Sequence, residues 1–95
     1  MARHGIYSVF DSKVSAYSNP FYAVNDAVAS RCVRGAVRDP NTALAQNPAD
    51  FSVYALGVFD DVSGLVEPTV PPRFVAAVSA LSVGLEIIKP EVSNG

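Results

Sequence analysis

The stretch that most limits how this chain can fold is residues 26–38, DAVASRCVRGAVR, the one segment with a clear helical period. Val28, Ala29, Cys32, Val33, Ala36 and Val37 recur at steps of four and make a broad apolar stripe. Arg31, Arg34 and Arg38 recur at steps of three and four. At about 100° per residue the arginines fall roughly opposite the apolar stripe, so one side of the helix buries and the other holds three guanidinium groups in water. Asn25 is a good N-cap, Asp26 suits the positive helix end, and Asp39-Pro40-Asn41 stops the helix.

The flanking sequence supplies a sheet. GIYSVFD, residues 5–11, reads as a strand with Ile6, Ser8 and Phe10 on one face and Tyr7, Val9 and Asp11 on the other. Residues 12–25 read as a long connection with a turn at Ser18-Asn19-Pro20. Residues 42–50 read as a short helical turn and a loop. FSVYALGVF, residues 51–59, is apolar on both faces and belongs in the middle of the sheet. Asp60-Asp61-Val62-Ser63-Gly64 is a hairpin turn in which Gly64 supplies the positive φ, and residues 65–69 return as an edge strand. Pro71-Pro72 then breaks the sheet. Residues 73–82, with Phe74, Ala77, Val78 and Leu81 at helical spacing, predict a second short helix, a strand being the alternative. Residues 85–88 could add an edge strand. The expected architecture is α+β: a three- to four-stranded sheet, one main amphipathic helix over 26–38 and a short one over 73–82. A right-handed crossover through the main helix would set the first strand parallel to the second. Residues 1–89 form the expected single domain, with 90–95 a flexible tail. So thin a core, with exposed sheet edges, points to a homo-oligomer, first of all a dimer pairing edges or faces.

Charge and composition narrow the function. The chain is 49% hydrophobic and 17% charged, too apolar for a disordered segment. No apolar run approaches a membrane span, and the N-terminus lacks a signal-peptide pattern, so a soluble protein in the cytoplasm is expected, without membrane contact. The net charge of −2 argues against bulk electrostatic coating of nucleic acid. The charge is uneven, however. Residues 1–38 carry five basic side chains against two acids, whereas residues 39–95 carry two against seven, so an anion-binding surface belongs to the first half.

No catalytic constellation is visible. His4 is the only histidine, and no Gly-rich phosphate loop or metal-ligand spacing occurs. The chain therefore reads as a non-enzyme without cofactor or metal. Asp60-Asp61 reads as turn chemistry before it reads as a metal site. Cys32, the single cysteine, reads as a small buried hydrophobe on the apolar stripe before a reactive thiol. The candidate binding residues are Arg31, Arg34 and Arg38 with Lys13 for phosphates, and Tyr17, Phe21 and Tyr22 for stacking on unpaired bases. Each group has a plainer alternative. The arginines could be a solvated helix face favoured by the dipole near its C-terminus, and the aromatics could pack as a lid on the core.

Several segments together carry a family likeness: VFDSKV with Ala16, Tyr17, Pro20 and Phe21; then DPNT at 39–42; then NPADFSVY at 47–54; then LGVFDD at 56–61 with Ser63 and Gly64. They resemble the small nonstructural protein of gokushovirus-like microviruses, which are single-stranded DNA phages. The likeness covers about residues 5–67 and is much weaker beyond. It implies a non-enzymatic protein acting in the host cytoplasm in viral DNA replication, binding single-stranded DNA during the switch to genome synthesis and packaging. The alternative is an adaptor that recruits a viral or host replication protein, or a procapsid, without touching DNA.

Overall fold

The computed structural model describes residues 3–82. Strand β1 (Arg3–Asp11) runs into a turn where Ser15 takes a positive φ of 56°. The chain then folds back as two short strands, β2 (Ala16–Tyr17) and β3 (Phe21–Ala23), both antiparallel to β1. Helix α1 (Asp26–Val37) follows. Its cap is the expected one, the Val28 N–H donating to Asn25 Oδ1 at 2.9 Å. Helix α2 (Ala43–Gln46) is capped the same way, by the Ala45 N–H on Thr42 Oγ1 at 3.2 Å, and a 3-10 turn (Pro48–Asp50) leads into the sheet again. Strand β4 (Phe51–Asp60) and strand β5 (Val66–Ala77) form a long hairpin, and residues 78–82 are helical. The sheet is five-stranded and antiparallel, in the order β2-β1-β4-β5, with β3 also paired to β1.

The class is α+β, as the patterns imply, but the sheet has five strands in place of the expected three or four, because β2 and β3 form within the expected 12–25 connection, and three further expectations are corrected. Strands β1 and β4 are antiparallel, not parallel. The connection between them reverses direction at β2 and β3 before α1 begins, so no single crossover joins the two long strands. The second helix does not start at residue 73. Strand β5 continues through the prolines to Ala77, and only 78–82 turn helical. Among the described residues β5 is an edge strand, where a missing N–H costs little, so Pro68, Pro71 and Pro72 are tolerated. The Val70–Pro71 peptide is cis. Third, Cys32 is exposed. The residues of α1 that bury are Ala29, Val33 and Val37, a tight i, i+4, i+8 line, and Cys32 sits on its shoulder. The expected strand at 85–88 and the tail at 90–95 lie outside the described residues.

Both hairpin expectations hold at atomic detail. Asp60 Oδ1 accepts from the N–H groups of Val62 (2.9 Å) and Ser63 (3.3 Å), and Gly64 has φ of 75°. The carboxylate of Asp60 is engaged in the turn's backbone hydrogen bonds.

One face of the sheet packs on α1. Tyr7, Val53 and Ala55 from the strands, with Val78 and Leu81, close over Ala29, Val33 and Val37. The packing is tied at one end by a polar cluster. The Tyr7 hydroxyl donates to Asp26 Oδ1 at 2.7 Å, and Arg73 donates two N–H groups to the same carboxylate at 2.8 and 3.0 Å. Strand β1, helix α1 and strand β5 are thereby joined at the first residue of the helix. Arg73 pairs with Ala55 across the β4–β5 ladder, which turns it toward the helix side.

Candidate nucleic-acid interface

The three helix arginines occupy a sector of about 60° on α1 at about 100° per residue, and Arg31 to Arg38 covers about 10 Å of axis. The sector points away from the sheet, because the buried line Ala29-Val33-Val37 is on the other side. Arg31 and Arg38 are exposed and Arg34 is half-buried. Among the described residues none of the three makes an ion pair or a side-chain hydrogen bond, and the Arg34 Nε is closed off from solvent without a partner. The sheet arginines behave differently. Arg3 pairs with Glu67 at 2.6 Å and Arg73 with Asp26 at 2.8 Å. Among the described residues the guanidiniums of the strands are paired and those of the helix are not. Lys13 is exposed in the β1–β2 turn, its own N–H held by Asp11 Oδ1 at 2.9 Å.

The aromatic candidates separate. Phe21 pairs with Tyr7 in the β1–β3 ladder and stacks on it at 6.0 Å between ring centroids, half-buried on the helix side. Tyr22 and Tyr17 belong to the opposite face. Tyr17 is 44% and Tyr22 64% exposed. Tyr17 lies beside Phe10 at 4.8 Å, and both meet Tyr54, at 5.8 and 6.1 Å respectively. Tyr54 meets Phe74, 55% exposed, edge-on at 5.8 Å. Tyr17, Phe10, Tyr54 and Phe74 therefore form a row that crosses β2, β1, β4 and β5 in sheet order. Tyr22 joins a second group with Phe59 (6.2 Å) and His4, which together line a shallow pocket.

The arginines and the exposed tyrosines thus lie on opposite sides of the molecule, so one short DNA segment cannot reach both sets. Phe10, Tyr54 and Phe74 lie outside the sequence-based candidate set and join it only through the structure. The alternation Ile6-Ser8-Phe10 and Ser52-Tyr54 already put Phe10 and Tyr54 on single faces. What was lacking was the register, Ser8 opposite Tyr54 and Tyr54 opposite Phe74, which makes those faces one surface. The helical spacing of Phe74 with Ala77, Val78 and Leu81 masks its place in the row.

The fold and its two surfaces define a small α+β protein with, among the described residues, unpaired arginines on its helix and exposed aromatics on its sheet. The chain belongs to the family described as Phage ORF5 protein, which it matches over residues 4–81. No curated protein and no solved structure matches it significantly. No described helix is long and apolar enough to cross a membrane.

Proposed function

We propose that this phage protein is a non-enzymatic binder of single-stranded DNA that acts in viral genome replication, in the manner of the nonstructural protein of gokushovirus-like microviruses that its VFDSKV and LGVFDD segments resemble. The observation that carries the reading is the set of guanidiniums at Arg31, Arg34 and Arg38 on one side of α1, unpaired among the described residues. The two sheet arginines are already held by Glu67 and Asp26. A planar guanidinium binds phosphate through paired N–H groups and also stacks on unpaired bases, so this side can hold backbone and base together. Lys13, exposed in the β1–β2 turn, is a further cation away from the helix. Tyr17 and Tyr22 belong to the opposite face and would serve only a second segment. Host cytoplasm is the corresponding location.

The test is a fluorescence anisotropy titration of the full chain with single- and double-stranded oligonucleotides of one length at two salt concentrations. Tighter binding to the single strand, weakened by salt, supports the reading. Absence of binding to either, with a protein partner captured after nuclease treatment, supports the adaptor alternative.

A further inference from the structure

We infer that the aromatic face of the sheet is the docking surface for a second copy of this chain. The register places Tyr17, Phe10, Tyr54 and Phe74 side by side on that face, with Ile6, Tyr22 and Phe59 beyond them. Among the described residues no helix covers it. The buried residues of α1 pack on the other side with Tyr7, Val53 and Ala55. Exposed aromatic surface of this extent marks an interface, because isolated domains keep such patches small.

Charge selects the occupant. Following the strand registers, the face bears no Lys, Arg, Asp or Glu side chain from the strands. Its one imidazole, His4, lies at the far end within 3.2 Å of Asp61. Platforms that stack nucleic-acid bases combine aromatics with cations that follow the phosphates, and this face has the first without the second. A neutral face is instead complementary to itself. Two copies related by a twofold axis bring it together with no like charges opposed, and two sheets pack at about 10 Å with interdigitating side chains. The other route to self-association, through the sheet edge, is obstructed. Pro68, Pro71 and Pro72 remove three N–H donors from β5. The paired faces would leave both α1 helices outward, so that, on the DNA reading above, one dimer holds two strand segments.

Sedimentation velocity of the full chain over a low- to high-micromolar range tests the inference. Wild type is expected at twice the chain mass. Phe74→Asp and Tyr17→Asp, both at exposed positions, are expected at the chain mass with unchanged circular dichroism, and Arg34→Ala is expected to stay dimeric. A wild type that is monomeric throughout, or a dimer that both aspartate variants leave intact, overturns it. Because the readout contains no DNA, a failure here is separate from a failure of DNA binding.

Discussion

The Tyr7 hydroxyl sits 2.7 Å from Asp26 Oδ1, donating to a carboxylate that Arg73 already grips with two N–H groups. A residue of the first strand and the first residue of the helix are thus joined through one proton. The arrangement explains the titration of both partners. Arg73, then Tyr7, hold the Asp26 carboxyl below its ordinary value. Burial, then the bond to Asp26, pushes the Tyr7 phenol up to about 12. Tyr7→Phe removes a nearly buried hydroxyl and leaves Asp26 with one donor residue instead of two. It should cost about 1–2 kcal/mol in urea denaturation with little change in the m-value.

The same cluster sets a pH window. Asp26 is depressed in the folded state, so its contribution is present above the ordinary carboxylate pKa and fades as the pH falls through the folded value. Tyr7 is raised, so its contribution is complete below about 10 and is lost as pH climbs from there toward about 12. Urea midpoints measured across pH should fall at both ends. Tyr7→Phe should flatten the alkaline fall, and an unchanged alkaline fall in that variant would show that another group causes it.

Two glycines should respond in opposite directions to alanine. A Cβ on Gly57 would stand 2.5 Å from the Glu67 carbonyl oxygen, backbone against backbone at a sheet irregularity. Gly57→Ala should destabilise by about 1–3 kcal/mol. A Cβ on Gly35 meets nothing within 4 Å, and the residue lies inside α1. Gly35→Ala should stabilise by about 0.5–1 kcal/mol, through helix propensity alone. Thermal melts of the two variants side by side give the comparison.

Cys32 is exposed on the helix shoulder. A thiol reagent should therefore modify it in the native protein, to one equivalent, without denaturant. Modification only after unfolding would contradict its placement.

What the sequence disclosed and withheld follows a physical line. Signals that depend on a few neighbours in the chain were readable: the Asn25 cap, the α1 period, the Asp60–Gly64 turn and the alternation in β4. The periodicity places Cys32 in an apolar stripe of six residues, whereas packing against a flat sheet buries mainly the Ala29-Val33-Val37 line. Phe74, Ala77, Val78 and Leu81 do have helical spacing, yet cross-strand pairing with β4 overrides it as far as Ala77. Strands β2 and β3 have two and three residues, too short for any period to show, and they reverse the chain so that β1 and β4 run antiparallel. Of the candidate site, the helix arginines stay together because one helix holds them. The aromatics at 17, 21 and 22 divide between two faces because β3 alternates, sending Phe21 inward and Tyr22 outward.

The most direct test of the central claim is the salt dependence of single-stranded oligonucleotide binding for wild type and for the variant Arg31→Ala/Arg34→Ala/Arg38→Ala. Each phosphate contact on a single strand contributes about 0.7 to the slope of log K against log salt. If the helix arginines hold the backbone, the triple variant should bind far more weakly, with a slope shallower by about 2, while its circular dichroism stays that of wild type. Equal affinity and equal slope in the two proteins would contradict the account.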